Sequence, residues 1–259
     1  MLPYVEIFGR VVPMYGLLAA AGVLLAILYI KLTAPGGKVS ADEELAAVWG
    51  AVGCLVGAKA LYLLTVLPDI AAAPQLFVQR WLLGGFVFYG GLYGALAGAY
   101  IYCRAAKAPV WDMFARLLPA IPLVHGFGRL GCFCTGCCYG VECESFGIAF
   151  TASAAAPNGV KLLPVQLIEA AWVFALFAVL ARMSAKGCSG KRMLGVYLLA
   201  YSLFRFVLEF FRGDAARGFV LNLSTSQLIA VVSVIFAAAL LRKAGKKEGG
   251  HGISAVGGE

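Results

Sequence analysis

The sequence alternates between long apolar runs and short polar connections. The runs cover approximately residues 11 to 30, 44 to 67, 82 to 103, 112 to 133, 164 to 183, 193 to 211 and 223 to 241. A helix needs about 20 mainly apolar residues to cross a bilayer, and the runs are close to that length. In lipid, backbone polar groups must be satisfied within the segment, which favours helices. We therefore predict an all-α, polytopic membrane bundle with about seven transmembrane helices.

Lysine and arginine are distributed unevenly among the connections. They are concentrated after the first, third, fifth and seventh runs and are sparser in the connections between. Because cytoplasmic loops carry an excess of these residues, this bias predicts an N-terminus outside and a C-terminus inside. We predict one transmembrane domain over residues 1–241 and a basic, glycine-rich cytoplasmic tail over 242–259. The composition of that tail is typical of disorder and of attraction to anionic headgroups.

Composition supports the membrane assignment. Apolar residues make up 62% of the 259 residues and charged residues 13%, and the mean hydropathy is +0.88. A soluble domain of this length does not need so many apolar residues. The first run follows no cationic cluster and ends in no small-residue cleavage pattern, so we interpret it as a retained span rather than a signal peptide. The net charge of +8 lies largely in the connections, which indicates topology rather than nucleic-acid binding.

Five ionisable residues lie within or at the ends of apolar runs: Lys59, Arg129, Glu169, Arg205 and Glu209. A charge near the bilayer centre costs about 2.5 to 3.5 kcal/mol on the insertion scale, so such residues usually face a cavity or a partner. Guanidinium groups bind phosphate through paired donors. We therefore predict that Arg129 and Arg205 converge on one outward-opening cavity and bind the phosphate of an anionic phospholipid.

Some of these residues also have structural interpretations. Arg205 and Glu209 have the i, i+4 spacing of an ion pair within one helix. Lys59 either adds a third charge to the phosphate site or extends its side chain towards the membrane surface. In the glycine-rich stretch over 84–94, Gly90 and Gly91 either allow close helix packing or open space for a headgroup or acyl chain.

Several motifs resemble the prolipoprotein diacylglyceryl transferase family. They are Tyr15-Gly16, Gly57-Ala58-Lys59, GGFVFYGGLYG at 84–94, HGFGRLGCFCTGCCYG at 125–140, LPVQLIEA at 163–170 and YSLFRFVLEFFR at 201–212, with Ser226-Gln227 in the last run. They follow the family's order over nearly the whole chain, and GRLGCF at 128–133 and FRFVLEFFR at 204–212 are the most specific. In that family, the diacylglyceryl group of phosphatidylglycerol is transferred to the thiol of a lipobox cysteine in a prolipoprotein. A thioether forms and glycerol phosphate leaves.

The resemblance implies roles for individual residues. Arg129 and Arg205 would hold the phosphoglycerol part, Tyr15 and Gln166 would shape the lipid pocket, and Glu209 would orient its neighbours. Catalysis would stabilise a phosphate leaving group without a metal or a cofactor. The implied partners are phosphatidylglycerol and the signal peptide of a prolipoprotein, and the implied location is the bacterial plasma (inner) membrane.

The chain departs from the family pattern at positions that matter for chemistry. The family carries His at the position of Tyr89, Arg at that of Lys59, and Asn, Asn and Glu at those of Cys132, Thr135 and Cys137. A His or Glu accepts a proton from a thiol near neutral pH, whereas the ordinary pKa of Tyr is about 10 and that of Cys about 8.5. The departures therefore leave the general base open.

Three residues are candidates for that base. Tyr89 or Cys137 would serve if Arg129 stabilises its anion. His125 lies one helical turn before Arg129 and should face the same side. It either replaces the missing imidazole or makes a structural hydrogen bond.

A cluster of cysteines follows Arg129 and is predicted to lie at the mouth of its cavity. The members are Cys132, Cys134, Cys137, Cys138 and Cys143. Their spacing is compatible with a disulfide, which would act as a structural clamp, or with a reactive thiol at Cys137 that replaces the family's carboxylate. It is also compatible with a metal site, although metal-binding cysteines usually come as separated pairs, and with small apolar packing.

The leading functional interpretation is transfer of a diacylglyceryl group from phosphatidylglycerol to a thiol acceptor. One alternative is a thiol redox or metal-binding membrane protein that uses the same fold, because a fold alone does not fix a function. Another is a non-catalytic phospholipid-binding paralogue, which the missing His and Glu would explain.

Overall fold

The described part of the chain is mostly helical. A computed structural model describes residues 3–82, 84–214, 219–220 and 223–249. The helices are α1 (Met14–Leu32), α2 (Ala41–Thr65), α3 (Leu67–Ala72), α4 (Phe88–Ala105), α5 (Val110–Leu117), α6 (Ala120–Thr135), α7 (Val165–Ala185), α8 (Gly190–Leu208) and α9 (Thr225–Gly249). A π-helical turn covers Phe77–Leu82, and 3-10 turns cover Pro35–Gly37, Pro74–Leu76 and Glu209–Phe211.

Six helical segments within the described ranges are long and apolar enough to cross a membrane. They are Met14–Leu32, Ala41–Thr65, Val110–Thr135, Val165–Ala185, Gly190–Phe211 and Thr225–Gly245. These segments correspond to six of the predicted spans, and the predicted class of polytopic helical membrane protein is confirmed. The segment Val110–Thr135 contains both α5 and α6, with Pro119 at the N-cap of α6. Proline lacks the backbone N–H that would continue the helical ladder, which accounts for the break.

The run predicted at 82–103 forms α4, which is the span missing from those six. It begins later than predicted, at Phe88, and is 18 residues long. Tyrosine and glycine occupy eight of its 18 positions, and its mean hydropathy does not reach that of the six segments. The described residues before it form the π-helical turn, which ends at Leu82, and an irregular segment over 84–87.

The C-terminal boundary also differs from the prediction. Helix α9 continues to Gly249, well past residue 241, so the first part of the predicted disordered tail is helical. Basic residues with good helix propensity follow the apolar run here, and they extend the helix. Residues 250–259 of the predicted tail lie outside the described residues.

Three short antiparallel ribbons lie before or between the helices in the described part of the chain. Strand β1 (Tyr4–Ile7) pairs with β2 (Arg10–Pro13), β3 (Ile148–Ala149) with β4 (Lys161–Leu162), and β5 (Phe219–Val220) with β6 (Leu223–Ser224). The second ribbon lies in the long connection between α6 and α7, where Phe150, Ala156 and Leu162 form a small buried core. The connection that carries Cys137, Cys138 and Cys143 is therefore a packed element.

The chain divides into two compact units. The first contains Met1–Thr33 and Phe114–Glu259, and the second contains Ala34–Met113. In the first unit α6 packs on α1 and on α7, and α8 packs on α7 and on α9. In the second unit α2 packs along α4.

Glycines allow α2 and α4 to approach each other closely. A Cβ atom on Gly57 would overlap the carbonyl oxygen of Gly90, and one on Gly94 would overlap that of Gly53. Small residues at helix interfaces are a common means of packing helices in membranes, where lipid provides no hydrophobic force between them.

Large apolar side chains are exposed along several of the spanning segments. Examples are Leu24 on α1, Leu55 on α2, Leu203 on α8 and Ile235 on α9. A soluble protein rarely exposes such extended apolar surfaces, whereas a lipid environment favours them.

Candidate active site

A buried cluster of polar side chains lies between α6, α7 and α8. At its centre, the carboxylate of Glu169 lies 3.0 Å from Nε of Arg129 and 3.5 Å from Nε2 of His125. The hydroxyl of Tyr201 donates a hydrogen bond of 3.0 Å to the same carboxylate. Glu169 is only 2% exposed and Arg129 8%. Because a buried charge is costly unless it is paired, these groups depend on one another.

Arg205 belongs to the same cluster. It follows Tyr201 by one helical turn on α8, and its charge interacts with the Glu169 carboxylate. Its Nη2 lies 2.6 Å from Oε2 of Glu209, so the predicted i, i+4 pair is present. Its Nη1 is buried and has no hydrogen-bond acceptor among the described residues. The charges of Arg129 and Arg205 thus both act on the Glu169 carboxylate, and the convergence of the two arginines on one outward-opening cavity stays a prediction.

Helical spacing explains why these residues meet. His125 and Arg129 are four positions apart on α6, and Tyr201, Arg205 and Glu209 follow one another at the same interval. Residues four apart share a face of a helix. Two helices therefore present one polar stripe each, and α7 places Glu169 between them.

His125 contacts Arg129 directly. Nε of Arg129 donates to Nε2 of His125 at 3.2 Å, and the imidazole makes an edge contact with the ring of Tyr201 at 5.4 Å between centroids. The side chain faces the side of α6 predicted from its spacing.

Gln166 and Tyr15 lie close to the residues that follow Arg129. The side-chain amide of Gln166 donates to the carbonyl oxygen of Cys137 at 2.7 Å. Its buried Oε1 has no donor among the described residues. Tyr15 on α1 packs against α6, where a Cβ atom on Gly131 would lie 2.9 Å from the Tyr15 ring.

Three cysteines gather at the end of α6. The helix ends where Gly136 adopts a positive φ of 74°, and Cys138 also has a positive φ of 56°. This reversal brings the thiols of Cys132, Cys137 and Cys138 within 4.8 Å of one another. All eight cysteines have free thiols, so no disulfide clamp is present in the structure.

Positive charge surrounds this thiol cluster. Hydrogen bonds with the Cys132 and Cys137 thiols, together with the charges of Arg129 and Arg212, hold the pKa of Cys138 well below its usual range. Burial opposes the charged form of Arg212, but its hydrogen bond to Asp214 outweighs burial and raises the pKa of Arg212. Nε of Arg212 donates to Asp214 at 2.9 Å.

Four predicted site residues belong to the other unit. Lys59 donates from Nζ to the carbonyl oxygens of Gly84 and Gly85, and Nζ lies 4.1 Å from the ring centroid of Phe86. Gly90 and Gly91 both face α2. The contacts of Gly90 support the packing interpretation of the glycine stretch.

Tyr89 is the fourth of these residues. It is buried on α4 and stacks with Tyr93 at 6.5 Å between ring centroids. The structure therefore joins Arg129, Arg205, His125, Glu209, Gln166, Tyr15 and Cys137 in one unit, and Lys59, Tyr89, Gly90 and Gly91 in the other.

An apolar pocket lies near Arg205 in the first unit. Its volume is about 270 Å³, and it is lined by Leu163, Ile168, Phe204, Val207, Leu208 and Phe211. Phe204 precedes Arg205 directly, so the pocket and the polar cluster share α8.

Three polar members of this region were not predicted as site residues: Tyr201, Glu169 and Arg212. Tyr201 and Glu169 lie within the motifs described above, but neither was assigned a role in the site. The spacing of Tyr201 from Arg205 was an available signal, because both occupy one helix face. The proximity of Arg212 to the cysteines depends on a turn after α8, and no local pattern reveals it.

The fold and the cluster define a class: a multi-pass membrane protein with guanidinium groups and a carboxylate buried among its helices. Within that class, the chain belongs to the prolipoprotein diacylglyceryl transferase family, whose model matches residues 4–242. The family assignment made from the motifs is confirmed.

Individual relatives agree with the family match. The phosphatidylglycerol--prolipoprotein diacylglyceryl transferase of Clostridium tetani is 34% identical over 232 residues, which cover 89% of this chain and 92% of the relative. A second enzyme of this name, from Clostridium perfringens, is also 34% identical and covers 89% of this chain and 90% of its own length. A relative of the same name from Rickettsia felis is 28% identical over 243 residues.

Proposed function

We propose that the protein transfers the diacylglyceryl group of phosphatidylglycerol to the thiol of a cysteine in a prolipoprotein. The names of its relatives, phosphatidylglycerol--prolipoprotein diacylglyceryl transferases, support the reaction. The observation that carries the proposal is the buried Arg205, which has Nη1 without an acceptor among the described residues and lies in the same cluster as Arg129. A buried guanidinium donor of this kind suits a phosphate oxygen.

In the proposed reaction, the acceptor sulfur attacks the glyceryl carbon that carries the phosphate ester. The new carbon–sulfur bond is the thioether, and the carbon–oxygen bond to phosphate breaks. Its electron pair goes to the phosphate oxygen, and glycerol phosphate leaves. Arg129 and Arg205 would stabilise the negative charge that develops on this leaving group, because charged donors already in position need little reorganisation.

Other predicted residues take supporting roles in this proposal. Glu209 would orient Arg205 through their ion pair, whose oxygen and nitrogen are 2.6 Å apart. Gln166 and Tyr15 would line the lipid site, and the apolar pocket beside Phe204 would receive part of an acyl chain. Lys59, Gly90 and Gly91 complete the set proposed to contact substrate.

The thiol proton needs an acceptor. Cys137, Tyr89 and His125 are the proposed candidates for this role. Hydrogen bonds with the Cys132 and Cys137 thiols, together with the charges of Arg129 and Arg212, lower the pKa of Cys138. A thiol of low pKa is ionised but weakly basic, so Cys138 would be a poor acceptor for this proton. For Cys137, a hydrogen bond with Cys132 lowers the pKa, but the hydrogen bond with Cys138 and burial outweigh it and raise the pKa overall. Its thiolate would therefore be a stronger base, although a less abundant one.

The proposed setting is the bacterial plasma (inner) membrane, where phosphatidylglycerol is the donor and the signal peptide of a prolipoprotein brings the acceptor cysteine. Six segments able to span a membrane support a multi-pass location.

Complementation tests the proposal. A bacterial strain depleted of its own transferase would express this chain, and lipidation of a reporter lipoprotein would be measured. The unmodified chain should restore lipidation. Arg129→Ala and Arg205→Ala should each lower the transfer rate by roughly 10²- to 10³-fold, because each removes a charged donor from the leaving phosphate.

Arg182→Ala is the matched control, since Arg182 is exposed in the last turn of α7. It should retain activity. The activity of all three variants is expressed per amount of protein recovered from the membrane, because removal of Arg129 leaves the buried Glu169 charge without its partner and lowers stability. Full activity of both site variants would show that the phosphate is bound elsewhere. Failure of the unmodified chain to support lipidation, while it still binds phosphatidylglycerol, would favour the non-catalytic paralogue.

A further inference from the structure

The three thiols at the end of α6 form a compact group, of which the proposed reaction uses at most Cys137, as one candidate base. The sulfur atoms of Cys132, Cys137 and Cys138 all lie within 4.8 Å of one another. Cys132 is in the last turn of α6, and the turn at Gly136 folds the other two back towards it. Cys134 and Cys143 belong to the same sequence motif but are not members of this group.

The spacing suits a metal that prefers sulfur. Metal–sulfur bonds of about 2.3 Å in tetrahedral or trigonal geometry hold sulfur atoms roughly 3.8 to 4.0 Å apart. The three thiols therefore need to move little to reach one ion. Thiolates are soft ligands, which favour Zn²⁺ and Cu⁺ over Mg²⁺ or Ca²⁺.

Neighbouring charges fit the ionised form of such a site. Three thiolates and one divalent ion carry one net negative charge. Arg129 interacts electrostatically with Cys132 and Cys138, and Arg212 interacts with Cys138. The two guanidinium groups would balance the excess charge of the complex, which makes the partly buried position less costly.

We propose that Cys132, Cys137 and Cys138 bind one sulfur-preferring metal ion, of which Zn²⁺ is the representative, through three thiolates. Binding releases the thiol protons to solvent and changes no oxidation state. Zn²⁺ with three protein ligands keeps a fourth position for an exchangeable ligand.

The fourth position gives this site a further role, which rests on the proposed function. An external cysteine thiol would bind there as a thiolate after losing its proton, because a metal-bound thiol is deprotonated. Its sulfur would then be a nucleophile for the transfer reaction without a His or Glu base. The residues that depart from the family pattern, Cys132 and Cys137, would in this way replace the base that is missing.

Metal binding can be measured on the whole protein without lipid. The purified chain would be reduced, freed of metal with a chelator and titrated with Cd²⁺, which gives ultraviolet charge-transfer absorption with thiolates. We expect one Cd²⁺ per chain, with displacement by Zn²⁺. The triple variant C132S/C137S/C138S should lose this absorption.

The double variant C134S/C143S is the matched control, because it changes the same motif outside the thiol group. It should bind Cd²⁺ as tightly as the unmodified chain. Equal loss of binding in both variants, or no binding by the reduced unmodified chain, would overturn the proposal.

A second measurement uses the unmodified chain and so avoids effects of substitution on folding. Zn²⁺ should slow alkylation of Cys132, Cys137 and Cys138 by N-ethylmaleimide at least tenfold, as mapped by mass spectrometry, and leave Cys188 unaffected. Unchanged alkylation of all three would count against the site.

The external ligand has its own test. With Co²⁺ as the probe, a peptide containing one cysteine should change the visible absorption spectrum, and the same peptide with serine should not. If neither peptide changed the absorption spectrum of the Co²⁺ complex, the proposed binding of the acceptor thiol would be wrong. The complementation experiment is independent of this result, so the two proposals fail separately.

Discussion

Glu169 is the carboxylate around which Arg129, His125 and Tyr201 are arranged. Its oxygens contact the first two at 3.0 and 3.5 Å and accept a hydrogen bond from the third. Without this group, the charge of Arg129 would be buried without a counter-ion. Glu169 therefore acts as a positioning residue for the proposed phosphate site.

We predict that Glu169→Gln destabilises the protein and lowers its transfer activity. Glutamine keeps the size of the side chain but removes the negative charge. Breaking a buried ion pair costs about 3 to 5 kcal/mol, because the remaining charge is left uncompensated. The change should appear as a lower melting temperature of the purified protein in detergent.

Glu144→Gln is the control for that measurement. Glu144 pairs with Lys161 at 3.3 Å, but both side chains are exposed, so solvent screens the pair. The melting temperature should not change. If Glu169→Gln melted at the same temperature as Glu144→Gln, the cluster would not depend on its central charge.

The charged side chains of the cluster could be predicted from the sequence more readily than the contacts between them. Arg129 and Arg205 stand out because charge is rare in lipid-spanning segments. The same principle identified Glu169 as costly, but the sequence does not reveal that it pairs with Arg129 rather than with Lys59. Such a pairing depends on which helices are neighbours, and periodicity within one helix carries no information on that.

The pair of α2 and α4 shows what glycine contributes at the scale of whole elements. Gly53, Gly57, Gly90 and Gly94 lie where one backbone meets the other. Side chains at these positions would hold the helices apart. The glycines of α4 that allow this close packing also lower its mean hydropathy.

We predict that Gly94→Ala destabilises the protein by about 1 to 3 kcal/mol, the usual cost of overpacking a close contact. The new methyl group would overlap the carbonyl oxygen of Gly53, and a backbone atom has little freedom to move. Thermal unfolding in detergent measures the effect.

Gly245→Ala is the comparison, since a Cβ there would meet no atom within 4 Å, apart from the adjacent backbone of its own helix, among the described residues. It should be neutral or slightly stabilising, because alanine favours helix by about 0.5 to 1 kcal/mol. Equal stability of the two variants would indicate that α2 and α4 are less closely packed than described.

Among the elements, the sequence predicted existence and type well and boundaries less well. Most spans lie within a few residues of the predicted limits, because long apolar runs are strong signals. Helix α4 begins late because Gly84 and Gly85 lie within the apolar run before it, and glycine disfavours helix. Helix α9 ends late since hydropathy marks the edge of lipid but not the end of a helix.

The whole molecule has a predicted orientation that its own cysteines can test. Cys143 lies before α7 and Cys188 after it, so a spanning α7 places them on opposite sides of the membrane. Both are partly exposed. With the N-terminus outside, Cys143 is outside and Cys188 inside.

We predict that a membrane-impermeant maleimide modifies Cys143 in spheroplasts with sealed membranes and reaches Cys188 only after permeabilisation. Mass spectrometry of the two peptides measures this without any substitution. The reverse pattern would establish the opposite orientation. Modification of both before permeabilisation would show that α7 does not separate them.

The distribution of buried charge over three successive helices also affects the order of assembly. Arg129 lies on α6, its carboxylate partner Glu169 on α7, and the paired Arg205 and Glu209 on α8 and the turn after it. During synthesis, α6 leaves the ribosome before its counter-ion exists. An unpaired arginine is costly in lipid. We therefore expect α6 to remain in contact with the insertion machinery until α7 has been synthesised, so that α6 and α7 enter the lipid together.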